Sequence, residues 1–254
     1  MSKKSTCTVA VAGLLTAALC VGASADTIFF DDFNDGNATD GSPVTWVPVP
    51  GFPGTFDASS GDYLLAPSDR SIVATVPQFM PANVSVRTQV RFLEPSSPGG
   101  VEILARANRA AVTAYQAGLN EEGGVYLRRT DLDCCFAEAN TTLRPLEEDV
   151  ILQLDVFGNS LRMWAWRPGE PMPVAPLITA TDNGFSQGEV GIDYWTLGSS
   201  SALGSAHFRY VHVADSHIPE PSAAIALLLS GTFMAVIFRR NSWIKMAHSS
   251  RLMA

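Results

Sequence analysis

Val84-Ser85-Val86-Arg87-Thr88-Gln89-Val90-Arg91-Phe92 alternates without a break. Val84, Val86, Thr88, Val90 and Phe92 fall on one face, and Ser85, Arg87, Gln89 and Arg91 on the other. A period of two, with β-branched residues on the apolar side, marks a strand that buries one face and wets the other. Residues Val150 to Phe157 repeat the pattern, with Val150, Leu152, Leu154 and Val156 together. Phe157-Gly158-Asn159-Ser160 reads as a tight turn, and Leu161 to Trp166 returns as the second arm of a hairpin.

Working outward, shorter runs of the same kind appear at Thr27–Phe33, Val44–Val49, Tyr63–Leu65, Ile72–Val76, Val101–Ala107, Ala114–Leu119, Val125–Arg129, Leu177–Thr181, Glu189–Tyr194 and Ala206–Asp215. Turn-forming clusters separate them, such as the Pro-Ser-Ser-Pro-Gly-Gly run at 95–100 and Asp182-Asn183-Gly184. No stretch between Asp26 and Ile218 holds a 3.6-residue apolar period for three turns. The expected fold is therefore all-β, a two-sheet antiparallel jelly-roll sandwich over residues 26–216. No internal repeat is visible, which argues against a propeller or solenoid.

The flanks have a different character. The chain has 254 residues, a formal net charge of -8 and 46% hydrophobic residues. Its mean hydropathy is +0.13. Residues 1–25 read as a secretory signal peptide: Lys3 and Lys4, an uncharged apolar run from Val9 to Val21, then Ala23-Ser24-Ala25, small enough for signal peptidase to cut before Asp26. At the other end, Ser222–Phe238 is an uncharged run of 17 residues followed by Arg239-Arg240. That length is at the lower limit for a transmembrane helix, and the basic residues place the C-terminus in the cytoplasm. The segment between the ends contains no lysine, eleven arginines and 24 acids, for a net charge of -13. Such a surface excludes nucleic acid as a partner, since phosphate binding needs a basic stripe.

Pro219-Glu220-Pro221, the apolar run after it and Arg239-Arg240 resemble, in that order, the PEP-CTERM sorting signal over residues 219–240, within the C-terminal segment 217–254. The resemblance implies an exported bacterial protein processed by an exosortase and linked to extracellular polysaccharide or biofilm. The chain continues to Ala254, past the arginines where that signal usually stops. A permanent anchor and a transient one are both compatible with this. A second resemblance spans the middle segment. Phe30-Asp31-Asp32-Phe33-Asn34-Asp35-Gly36 with Trp46 downstream, the Val101–Arg106 strand, the 152–166 hairpin and the closing Gly188–Ile192 and His207–Asp215 strands are similar to laminin-G-like, concanavalin-A-like jelly rolls. This implies a lectin/glucanase-type fold, which hosts binding modules, hydrolases and structural domains alike.

The glucanase pattern Glu-x-Asp-x-x-Glu is absent. Glu121-Glu122 and Glu147-Glu148 are neighbours at turns, where strand geometry would point them apart. The sequence thus favours a non-catalytic carbohydrate-binding or matrix protein over a glycan hydrolase or lyase with acids on separate loops. Exposed tryptophan and tyrosine faces stack on sugars, which makes Trp164, Trp166, Tyr194 and Trp195 candidates, unless they fill the core. The acid-rich turn offers oxygen ligands for a structural Ca2+. Asp31, Asp32 and Asp35 are the candidate ligands, and the second resemblance implies Asp215 of the last strand as their partner; the alternative is a turn that caps its own backbone. Cys134 and Cys135 are adjacent, and leave three choices: a strained vicinal disulfide ring, two free thiols, or links to another chain. Mass spectrometry of the exported protein is expected to find Asp26 as the first residue; a retained Lys3-Lys4 segment would refute the cleavage site.

Overall fold

A computed structural model describes residues 25–93, 98–132, 135–197 and 203–219. These form fifteen strands and no helix. In chain order they are β1 (Thr27–Asp31), β2 (Val47–Pro48), β3 (Gly54–Asp57), β4 (Tyr63–Pro67), β5 (Ser71–Val76), β6 (Val84–Leu93), β7 (Gly99–Asn108), β8 (Thr113–Asn120), β9 (Gly124–Arg129), β10 (Cys135–Asn140), β11 (Val150–Phe157), β12 (Ser160–Trp166), β13 (Ile178–Thr181), β14 (Glu189–Thr196) and β15 (Ser205–Ala214). Ala23, Glu220, Pro221, Arg239, Arg240 and the 222–238 segment lie outside the described residues. Among those described, no helix is long and apolar enough to cross a membrane.

The alternating strands assemble into two antiparallel sheets. The first runs β13-β12-β11-β6-β15-β4-β3, with β1 beside the second half of β15; the other runs β10-β9-β8-β7-β14-β5-β2. The 150–166 hairpin forms as expected, Phe157 facing Ser160 across its turn. The apolar faces meet between the sheets. Val84, Val86, Val90 and Phe92 of β6 and Leu152 and Leu154 of β11 are fully buried there, against Ile103 of β7 and Ile192 of β14. A one-residue slip of any of these strands would turn its apolar face to water, so the core itself holds the register.

Two strands were not anticipated, and one is shorter than expected. β3 and β10 are edge strands with one neighbour each. Their sequences, Gly-Thr-Phe-Asp and Cys-Phe-Ala-Glu-Ala-Asn, lack the β-branched alternation that marks a strand packed on both sides. The expected Val44–Val49 strand pairs only at Val47 and Pro48, because Pro48 and Pro50 have no N–H to donate to a ladder. Val44 and Trp46 are nonetheless buried. The Trp46 indole packs against Phe29, Phe33 and Tyr63, and its Nε1 donates to Asp31 Oδ2 at 2.9 Å. Burial pushes the Asp31 carboxyl up, while this bond and one from the Phe33 amide hold it down.

Packing continues past the last strand. Residues 215–218 fold back over the outer face of the first sheet. His217 Nδ1 lies 2.5 Å from Asp155 Oδ2, and its ring contacts Trp164 at 5.2 Å. The Ile218 carbonyl accepts from Arg87 at 2.7 Å, and Ile218 is 3% exposed. Ile218→Ala should therefore cost about 2–4 kcal/mol in urea unfolding, as for a core aliphatic truncation, with a red shift of Trp164 emission. A change below about 0.5 kcal/mol would mean that this segment is not part of the cooperative unit.

Candidate functional site

The outer face of the second sheet is where polar chemistry collects. Register places side chains there in rows across the strands. One row runs Tyr126, Gly118, Glu102, Asp193 and Val73 over β9, β8, β7, β14 and β5. The next runs Arg128, Gln116, Leu104, Gly191 and Thr75 over the same strands. On the other side, Gly100 faces Trp195, which faces Ser71. The glycines are required here. A Cβ on Gly118 would lie 2.1 Å from the Tyr126 ring, and one on Gly100 would lie 2.8 Å from the Trp195 indole. Both rings therefore lie flat against the sheet, and Trp195 Nε1 donates to the Tyr126 hydroxyl at 2.6 Å.

Glu102 and Asp193 stand directly opposite each other on neighbouring strands. Glu102 is 0% and Asp193 4% exposed. Glu102 Oε1 accepts from the Tyr126 hydroxyl at 2.6 Å and from Arg128 at 2.7 Å. Asp193 Oδ1 accepts from Ser71 Oγ at 2.7 Å. The buried Glu102 Oε2 has no hydrogen-bond partner among the described residues. Two buried carboxyls at directly opposed positions resist ionising together. Burial, then the charge of Glu102, raises Asp193 well above the usual carboxylate range. Burial also raises Glu102, while Arg128 and Tyr126 pull it down. Asp193 is therefore held towards its protonated form.

Beside this pair the sheet is hollowed into a cavity of about 600 Å³. Its floor is a small apolar cluster of Val49, Val73, Leu104, Ala107 and Ala114, with Phe52 packed against it. Arg70, Arg109, Arg128, Gln116, Asp193 and Trp195 complete the lining, and Leu132, Val112 and Leu197 border it. Those last three are among the exposed large hydrophobics of the fold, Leu197 at 69%. Exposed aliphatic side chains gathered at one cavity mark a surface built to be covered.

The structure separates the four aromatics expected to share a sugar platform. Trp195 lines the cavity, whereas Tyr194 points into the core and bonds to the Leu203 carbonyl. Trp164 and Trp166 are buried on the outer face of the other sheet, Trp164 against the His217 ring of the 215–218 segment and Trp166 under the Arg87 guanidinium at 5.1 Å. Strand alternation puts Trp164 and Trp166 on one face with Arg162, and the residues that cover that face come from elsewhere in the chain.

The expected metal set is not brought together. Asp31 faces Val211 and lies at the far end of β1 from Asp215, whose amide bonds to Asp26. Both Asp31 oxygens are taken, by the Phe33 amide and Trp46. Asp32, Asp35 and Asp40 cap the amides two residues ahead, of Asn34, Asn37 and Ser42. Among the described residues no group of three or more His, Cys, Asp or Glu could hold a metal ion. Cys134 lies outside them; Cys135 is a free thiol, pushed up to about 11 by burial and Glu138.

Sequence reasoning passed over Glu102 and Asp193 as ordinary strand residues. The signal was present, since each is an acid inside an apolar run, Val-Glu-Ile-Leu and Gly-Ile-Asp-Tyr-Trp. A charge there needs a buried partner.

No family model matches this chain, and no curated protein does. Solved structures do. The carbohydrate binding module CBM66 from Bacillus subtilis superposes with a TM-score of 0.52 at 17% identity, over 66% of this chain and 94% of that one. A non-specific endo-β-1,3(4)-glucanase of family GH16 gives 0.56 at 9% identity, over 75% and 91%. A Bacillus subtilis protein of unknown function with a galectin-like fold gives 0.54 at 11%, over 76% and 97%. The jelly-roll sandwich is thus shared with carbohydrate-binding modules and glucanases.

The opposed carboxyl pair has a consequence for stability. Asp193 is raised in the folded state, so its contribution is complete below the ordinary carboxylate range and is lost as pH rises through its raised value. Asp193→Asn cannot ionise. Its melting temperature should match the parent near pH 4 and exceed it by several degrees near about pH 8. Parallel curves across that range would refute the raised Asp193 carboxyl.

Proposed function

We propose that the protein is a non-catalytic carbohydrate-binding protein whose site is the cavity on the outer face of the second sheet. The observation that carries this reading is the cavity itself. Its volume of about 600 Å³ falls in the usual range for small-molecule sites. An aliphatic floor suits the C–H face of a sugar ring, and Trp195, Gln116 and the arginines supply edge contacts and hydrogen bonds. The shared fold with carbohydrate-binding modules is consistent with it.

The carboxyl pair favours binding over hydrolysis. A retaining glycosidase holds its two carboxyl groups about 5–5.5 Å apart, and an inverting one further, with the scissile bond between. Glu102 and Asp193 are buried directly opposite each other on neighbouring strands, and Ser71, Tyr126 and Arg128 lock them in place. No scissile bond fits between them.

The two ends of the chain complete the proposal. The signal peptide, the Pro219-Glu220-Pro221 tripeptide and Arg239-Arg240 support export, processing by an exosortase and residence at the cell surface or in an extracellular matrix. The membrane contact would run through residues 222–238, and extracellular polysaccharide would be the partner.

A glycan array and isothermal titration with the full chain test the reading. At least one saccharide class should bind, and Trp195→Ala should weaken it about tenfold at unchanged melting temperature, the loss of one ring contact. Binding that survives this change, or release of reducing ends from the bound glycan, would overturn the site or the non-catalytic assignment respectively.

A further inference from the structure

The charges around the cavity identify the kind of sugar. Three guanidinium groups line it, those of Arg70, Arg109 and Arg128. The one carboxyl among its lining residues is Asp193, already committed to Glu102 and Ser71. Arg128 is tied to Glu102 at 2.7 Å and to Gln116 at 2.6 Å. Arg109 is tied through Nε to Glu189 at 3.0 Å, which leaves its two terminal nitrogens. Arg70 is exposed, and its guanidinium has no hydrogen-bond or ion-pair partner among the described residues. Arg109 and Arg128 are each paired with an acid, and Arg70 adds a positive charge that no described acid meets.

This balance is reversed from the rest of the molecule. The 26–218 segment carries -13, with eleven arginines and no lysine. Three of those eleven line one cavity. A strongly acidic surface repels anionic polymers at long range, so a locally positive pocket within it has a use only if something anionic enters. The floor is aliphatic and receives the body of a ring; the guanidiniums stand around it. A planar carboxylate matches the guanidinium fork in a two-bond pairing, which an ammonium could not offer.

We infer that the cavity takes the uronate residue of an acidic polysaccharide, its ring on the Val73–Leu104 floor and its carboxylate on Arg70, with Arg109 as second donor. This rests on the carbohydrate-binding reading above and deepens it to a substrate class.

The test is isothermal titration of the full chain with oligogalacturonate and alginate oligomers. Three comparisons run beside it: the same oligomers after chemical reduction of their carboxyls to alcohols, a chondroitin sulfate oligomer, and neutral β-glucan oligomers. The uronates should bind at least about tenfold more tightly than their reduced forms, an affinity difference of about 1.4 kcal/mol, and should weaken as salt rises. Arg70→Glu should abolish that preference. Arg70→Gln should reduce it, with the melting temperature of each variant checked against the parent. Equal binding of uronate and reduced oligomers, or of neutral glucans without salt dependence, would overturn this inference and leave the carbohydrate reading standing. Binding of the sulfated oligomer alone would replace the uronate by a sulfate ester and overturn it as well. Silence towards every saccharide would remove both readings together.

Discussion

The antiparallel register of β7 on β14 is the constraint from which both the core and the site follow. One set of opposed residues, Ile103 and Ile192, enters the sandwich. The intervening set, Glu102 and Asp193, faces out. Because side chains alternate, neither arrangement exists without the other. The apolar set makes any slip expensive, and that same penalty forces two acids into directly opposed positions. Hydrogen bonds from Ser71, Tyr126 and Arg128 make their burial tolerable. The polar cluster is thus held by the core behind it, and needs no loop to position it.

Coverage distinguishes this face from the opposite one. On the outer side of the first sheet, Ser85, Arg87, Gln153 and Asp155 form a comparable ladder of buried polar groups. There the ladder is consumed by the chain's own segment: Arg87 bonds to the Ile218 carbonyl and Asp155 to His217. On the second sheet no described segment lies across the cavity, and Arg70 is left without a partner among the described residues. Two similar polar faces of one sandwich therefore differ in what covers them. One is closed by the segment that leads into Pro219, and the other has no described segment across it.

Legibility in the sequence followed the strength of the periodic signal. Central strands such as β6 and β11 announced themselves, because two packed neighbours and one buried face demand clean alternation. Edge strands β3 and β10 did not, since a single neighbour leaves composition nearly free. The acid-rich turn was legible in kind: its aspartates serve as Asx caps, one of the two readings its spacing allowed. That Asp215 stands apart from this turn was not legible, because the partner of a residue across a sheet depends on register between strands far apart in the chain.

By itself, then, the sequence determined the all-β class, the alternation of most strands, the charge of the middle segment and the presence of the motifs at its ends. These depend on local composition and on period, which a linear string carries. The tertiary structure alone decided that Glu102 stands opposite Asp193, that Trp195 lines a cavity while Trp164 lies against His217 and Trp166 under Arg87, and that three arginines gather at one cavity. Those outcomes depend on which strands become neighbours, in what register, and on which segment returns to cover which face. Such long-range pairings are selected by the burial of the whole core, and no local stretch encodes them.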